Sequence, residues 1–402
     1  VSTRYSGAGA IGRRRKTLTL GIAAVAVVGG VIGGALVLNS PTKINLSDNA
    51  SGDHGGFSLN TSSQWSFSTL DNQNDPTFNQ LLGINNRGQI AGYFGSGAQG
   101  HPNKGYLLNL SRHGAWFQNE NFPGSVQTQV TGLNDNGVTV GFFSSQNTAS
   151  MTNNNFGFYT WGGSIHRVNF PVPRGWTASP PVNQLLGVND SGIAVGFWND
   201  GKGNSHGYLY SITRHWFRTI KVHGVTSLTA SAINNEGDVA GFLTDTNGNE
   251  KSFLLRSNGR LSTLAFPGAA STQAFGINDS REVVGVYTVG TGNNAKTFGF
   301  TWTSHTGFTT INAPQGPGAT TINGVNDAGD LVGFYTDAAG NTHGLLWAAS
   351  RHRAPFAPRV AGFTPTVTQS VTPATPTATP SVQTGTTTVP AAPTPAAGPT
   401  HF

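Results

Sequence analysis

One eleven-residue phrase recurs six times along this chain, and a repeat restricts the choice of fold more than any single residue does. The copies read GINNRGQIAGY, GLNDNGVTVGF, GVNDSGIAVGF, AINNEGDVAGF, GINDSREVVGV and GVNDAGDLVGF. Their first asparagines are Asn85, Asn134, Asn189, Asn234, Asn278 and Asn326, at steps of 49, 55, 45, 44 and 48 residues. A unit of that length is one supersecondary element, which cannot bury its apolar face without a neighbour. Each phrase supplies two short apolar runs around a tight turn. A Gly/Asn-rich turn then leads to a third run: KGYLLNL, FGFYTW, HGYLYSI, KSFLLRS, FGFTWTS and HGLLWAA. A fourth follows, as in AWFQNENF, SIHRVNF or GFTTINA. Aromatic and β-branched runs bounded by Gly, Asn and Pro are strand signals. Four strands per unit make the blade of a β-propeller.

The sixth unit holds three runs (TINGVN, LVGFY, HGLLW) and stops. Its missing fourth strand stands at the other end, at Trp65–Asp71. The fold predicted is therefore an all-β, six-bladed β-propeller of four-stranded blades, closed when the N-terminal strand completes the last blade. Closure removes exposed sheet edges. In Ile90–Phe94 neighbouring positions are all apolar, so both faces of that strand are expected to be buried. The fixed glycines Gly92, Gly141, Gly196, Gly241, Gly285 and Gly333 are expected to make room for a neighbouring blade. Arg281 stands where the other five turns have Gly, so that turn must change type or carry strain.

The 402 residues include 55 Gly and only 10% charged residues, a composition that suits turn-rich β structure. The pI of about 9.7 suggests nucleic acid, but the charge distribution does not. Residues 64–350 carry 14 Lys+Arg and 15 Asp+Glu, so the repeats have no basic stripe and nucleic acid is not an expected partner. Cysteine is absent, which excludes disulfides and thiolate metal sites.

The ends differ from the body. Residues 1–16 form a basic N-terminus finishing in Arg13-Arg14-Arg15-Lys16. Residues 17–38 are uncharged and long enough as a helix to span a bilayer, with the basic side in the cytoplasm. The segment reads as a transmembrane anchor, with a cleaved signal cut after Ala35 as the rival reading. Either way the repeats lie outside the cytoplasm, membrane-anchored or secreted. Residues 39–63 read as a linker, 64–350 as the propeller, and 354–402 as a Pro/Thr-rich disordered tail.

The signature, together with HGYLY and HGLLW, resembles the extracellular HAF-type repeat proteins of bacteria. His206-Gly207-Tyr208 and His343-Gly344-Leu345 are the nearest matches to the name-giving motif. The resemblance covers roughly residues 64–350 and implies a secreted repeat protein. It carries over no catalytic residue.

A four-strand meander places turns 1→2 and 3→4 on one face and turns 2→3 and 4→1 on the other. The long, variable connections (94–105, 144–155, 171–183) all belong to the second face, where a ligand is expected. Trp176 is the one tryptophan outside the repeat frame, beside Arg174. These two, with Asn183 at the end of the same connection and His101 and Lys104 in 94–105, are the candidate ligand-binding residues. The other seven tryptophans, Trp65, Trp116, Trp161, Trp198, Trp216, Trp302 and Trp347, occupy repeat strands and read as packing. The repeated Asp residues read as turn formers, and His113, His215 and His305 as solvent-facing. No cofactor or metal motif is present. The function expected is non-catalytic binding at the cell surface, with cell-wall or extracellular polysaccharide, or a surface protein, as partner. The competing readings are a polysaccharide hydrolase or lyase, whose off-frame acids would meet in the channel, and a structural surface-layer or sheath component.

Overall fold

The computed structural model describes residues 65–349, apart from 99, 112–113 and 146–153. The basic N-terminus (1–16), the span 17–38, the linker 39–63 and the tail 354–402 lie outside the described residues, as does His113. Among the described residues no helix is long and apolar enough to cross a membrane.

The described chain forms 24 strands in six antiparallel four-stranded sheets. Blade 1 is β2–β5 (Asn79–Ile84, Gln89–Phe94, Lys104–Ser111, Gly114–Asn119). Blade 2 is β6–β9 (Gln127–Leu133, Thr139–Ser144, Phe156–Trp161, Ser164–Val168). Blade 3 is β10–β13 (Asn183–Val188, Ile193–Asn199, Ser205–Ser211, Phe217–Thr219). Blade 4 is β14–β17 (Val225–Ile233, Val239–Asp245, Glu250–Leu255, Leu261–Leu264). Blade 5 is β18–β21 (Ser271–Ile277, Val283–Val289, Lys296–Thr303, Gly307–Ile311). Blade 6 is β22–β24 (Thr320–Val325, Leu331–Thr336, Thr342–Ala349), completed by β1 (Trp65–Thr69). β1 runs antiparallel to β24, from Trp65 opposite Ala349 to Thr69 opposite Leu345. Leu70 then passes into the apolar cluster that joins blade 6 to blade 1.

The core is distributed. Six clusters each lie between two adjacent blades, for example Leu185 and Tyr208 of blade 3 against Val140 and Tyr159 of blade 2. A seventh, with Leu82, Leu186, Phe275 and Phe334, crosses the axis. β7 is buried along its whole length, as two-faced packing requires.

Every innermost strand carries a one-residue bulge at the same place. The six extra residues, Leu82, Thr131, Leu186, Ser231, Phe275 and Asn323, line an axial chamber. This feature corrects the expectation for the fixed glycines. A Cβ on Gly92 would lie 2.4 Å from the Gln80 carbonyl oxygen, and one on Gly141, Gly241, Gly285 or Gly333 at 2.1, 2.1, 2.0 or 2.0 Å from Gln129, Thr229, Gln273 or Thr321. Each obstacle belongs to the same blade, because the inner strand bulges beside this pair and its carbonyl closes on the glycine. The close approach between blades falls instead on the first residue of the phrase. There a Cβ on Gly132 would meet the Leu186 oxygen at 2.6 Å, and one on Gly324 the Gly83 Cα at 3.1 Å.

Arg281 keeps the turn and accepts the strain. Its φ is +64°, in the region its glycine counterparts occupy. Its Nε donates to Asp238 Oδ2 of blade 4 at 2.5 Å, and that carboxylate is fully buried. The ion pair offsets a backbone cost of about 1–3 kcal/mol.

Candidate functional site

The six signature asparagines are buried and join the blades. In each, Oδ1 accepts the backbone N–H four residues on, at 2.8–3.0 Å. Each Nδ2 donates to the carbonyl oxygen of the matching asparagine in the next blade, at 2.9–3.1 Å for five of them and at 3.5 Å from Asn326 back to Asn85. The next position makes a second ring. The backbone N–H groups of Asn86, Asp135, Asp190, Asn235, Asp279 and Asp327 each donate to Oδ1 of the following member at 2.8 Å. The first ring needs a donor and an acceptor on separate atoms of one short side chain, which the Asn amide supplies and an Asp carboxylate does not. The second needs only the acceptor, so Asn and Asp both occur there. Asn189→Asp should therefore cost roughly 2–4 kcal/mol, because it sets a carboxylate against the Asn234 carbonyl. Asp190→Asn should cost under about 1 kcal/mol. Urea unfolding midpoints of the two variants check the contrast.

These rings frame the channel mouth, a cavity of about 80 Å³. Its four carboxylates, Asp135, Asp190, Asp279 and Asp327, also accept the amides of Asn86 and Asn235 at 2.8–3.0 Å. They are frame residues with structural partners. The off-frame acids are held individually elsewhere. Thr139 Oγ1 donates to Glu120, Gln273 Nε2 to Glu250 at 2.9 Å, and His101 pairs with Asp75 at 2.9 Å. Burial, only partly offset by those hydrogen bonds, raises the pKa of Glu120 and Glu250. Among the described residues no group of three or more His, Cys, Asp or Glu is placed to hold a metal ion.

On the opposite face, Asp200, Asp245 and Asp337 build identical 2→3 turns. Each Oδ1 accepts two backbone N–H groups at 2.8–2.9 Å. Each Oδ2 takes a side chain from the start of the third strand: His206 at 3.0 Å, Lys251 at 3.2 Å or His343 at 3.2 Å. The His of each His-Gly pair thus clamps a turn. Burial opposes ionisation of Asp200, but donors from His206, Asn204 and Lys202 outweigh it and hold the carboxyl at about 2.

The connection between β9 and β10 lies against the first of these turns. Gly201 N–H donates to the Trp176 carbonyl at 2.8 Å, Ala178 N–H to Asn199 at 3.3 Å, and Trp176 N–H to Pro173 at 3.0 Å. The Trp176 backbone is fixed while its side chain remains 55% exposed, and Arg174 beside it is exposed. The strand leading into the turn holds Trp198, stacked on Phe170 (5.8 Å) and on His206 (4.4 Å). Sequence reasoning missed the Asp200–His206–Trp198 group. Its signal was an Asp-x-x-Gly-Asn turn with His two residues after the Asn.

The other candidates divide. His101 is exposed and Lys104 donates to the Val126 carbonyl at 3.2 Å, both in blade 1. Asn183 is a correction. It is 5% exposed, accepts the Tyr208 hydroxyl at 2.7 Å and belongs to the interior, because it opens the innermost strand of blade 3. A second correction concerns tryptophan. Trp116 and Trp161 are 53% and 47% exposed and do not pack the interior, since both stand where strands 3 and 4 run out at the ring's rim. His215 and His305 face solvent as expected.

No protein-family model matches the chain, and no curated protein does. Among solved structures it is similar to a six-bladed fungal lectin from Aleuria aurantia with a fucose recognition mode (10% identity, 67% of this chain and 93% of the lectin, TM-score 0.43). It is also similar to Trypanosoma rangeli sialidase in complex with sialic acid (9% identity, 70% and 57%, TM-score 0.42) and to TolB from Acinetobacter baumannii (11% identity, 65% and 66%, TM-score 0.39).

Proposed function

We propose that this protein is a non-catalytic, extracytoplasmic propeller of the HAF-repeat type that binds carbohydrate through its variable-loop face. One observation supports the reading above the others: Trp176 presents its indole to solvent from a backbone fastened to the neighbouring turn. An aromatic left in water forgoes the free energy of burial, and a rigid one loses little entropy when a ligand covers it. A sugar ring offers a C–H face to stack on the indole, and hydroxyls for the Arg174 guanidinium. Residues 17–38 would hold the ring at the membrane, or direct its export if cleaved. A glycan and cell-wall array with the full chain tests the site. Trp176→Ala should lower binding by about 30-fold, as loss of a central aromatic anchor does. Unchanged array binding in Trp176→Ala and Arg174→Ala would remove the site. Capture of surface proteins without any glycan signal would favour the protein-binding reading.

A further inference from the structure

Trp116, Trp161 and Trp216 share one level of the ring. Asn109, Trp161 and Ser211 are the fourth residues after the matching glycines Gly105, Gly157 and Gly207 of the third strand. Across the blade Asn109 pairs with Trp116 and Trp161 with Ser164, and Ser211 N–H donates to the Trp216 carbonyl at 3.0 Å. Three successive blades therefore place an indole at the same level beside the 3→4 turn, from the fourth-strand side in blades 1 and 3 and from the third strand in blade 2.

All three face the following blade. The next pair inward on the same face is Leu107 with Gln118, Tyr159 with His166 and Leu209 with Arg218. Leu107 packs toward blade 2, Tyr159 toward blade 3 and Leu209 toward blade 4, and strand alternation puts each indole on that side. Each tryptophan thus has an exposed planar polar neighbour: the Gln118 amide, the His166 imidazole or the Arg218 guanidinium. His166 stacks on Tyr159 at 5.0 Å, and Arg218 Cζ lies 5.3 Å from the Trp216 ring. The equivalent pairs in the later blades are Arg256 with Arg260, Thr303 with Gly307 and Ala348 with Ser66. The array ends with blade 3.

We propose that Trp116, Trp161 and Trp216 are three equivalent pyranose-stacking subsites that together engage one polysaccharide chain. Packing does not account for Trp116 and Trp161, which are half in solvent. An indole face with a planar hydrogen-bonding group on the same side matches the apolar face and equatorial hydroxyls of a sugar. A site repeated around the ring suits a ligand that is itself a repeat, because each engaged unit raises the effective concentration of the next. No carboxylate stands at these positions, so neutral and acidic polymers are both admitted. The subsites lie by the 3→4 turns, away from the face that bears Trp176, and their residues are distinct from that site.

The test is calorimetric titration of the full chain with laminarin, xylan and polygalacturonate, each beside its monosaccharide. Wild type should bind at least one polymer far more tightly than the monomer. Each single Trp→Ala change should weaken binding by about five- to tenfold, and the triple variant should show none. Thermal melting of the triple variant should lie close to wild type, since Trp116 and Trp161 are about half exposed and Trp216 is only partly buried. Equal polymer and monomer affinity, wild-type affinity in the triple variant, or no binding to any of the three polymers would overturn the proposal. Binding lost only in Trp176→Ala would overturn it while supporting the loop-face site. Binding lost only in the triple variant would do the reverse.

Discussion

Gly196→Ala should destabilise the ring by about 3 kcal/mol, although it adds a single methyl group. The new Cβ would lie 1.9 Å from the Gln184 carbonyl oxygen, 2.9 Å from that carbonyl carbon and 3.0 Å from Leu185 Cα. All three obstacles are backbone, and the strand they belong to is fixed by its bulge and by the axial cluster. No rotamer change can relieve the clash, so blade 3 must shift as a sheet. Gly201→Ala is the control. Its Cβ would meet only the Thr177 oxygen, at 3.7 Å, and should change stability by less than about 0.5 kcal/mol. Denaturant midpoints with unchanged slopes would establish the contrast. Equal midpoints for Gly196→Ala and wild type would mean that the inner strand yields.

Deleting residues 65–71 should have a larger effect and abolish cooperative unfolding of the ring. The deletion removes the β1 ladder, the Phe67–Tyr335 contact at 5.7 Å and the buried Leu70, whose burial alone is worth about 2–3 kcal/mol. It exposes β24 as an open edge prone to pairing with other chains. The same closure is pH-sensitive. His343 bridges Asp71 at 2.7 Å and Asp337 at 3.2 Å. Burial disfavours the imidazolium, but the two carboxylates outweigh it and raise the pKa above 6.5. A raised imidazole pKa stabilises fully below 6.5 and ceases to do so as pH climbs through the folded value. Asp337, held at about 2 chiefly by the Asn341 backbone N–H, stabilises above its usual range and stops doing so as pH falls toward that value. For His343 and Asp337 the clamp is strongest between about pH 4 and 6.5, whereas burial raises the pKa of the Asp71 carboxyl, so its contribution declines as pH rises through that raised value. Melting temperature should fall from pH 6 to pH 8.5 in the wild type, and the fall should shrink in His343→Gln. An identical pH profile in that variant would assign the dependence to other groups.

Repeat length, strand count and the borrowed N-terminal strand were readable because they depend on local pattern. A period near 45 residues and a missing fourth run have few solutions. The reasons behind individual residues were less readable, because they depend on geometry at the axis. Asn at the first signature position holds its own turn through Oδ1, yet in five blades its Nδ2 partner lies 44 to 55 residues away. The strand-2 glycines were correctly marked as tight positions but given the wrong neighbour. A bulge adds one residue without altering the apolar pattern, so nothing in the sequence displayed it. Asn183 looked like a loop residue since it follows Pro180-Pro181-Val182, and the structure makes it the opening residue of an innermost strand. Trp116 and Trp161 sat in frame and read as core. Strand alternation could have placed them on a face, but not at the rim where that face meets solvent.

The register of β1 on β24 also fixes how the ring is mounted. Trp65 and Ala349 are directly paired, so the incoming and outgoing chain meet at one corner, on the side of the acidic mouth. The first and last described residues therefore leave the ring from the same corner. The Trp176 face then points away from that corner and the tryptophan arc lies nearer to it, so the two proposed glycan sites, if both hold, would face different surroundings.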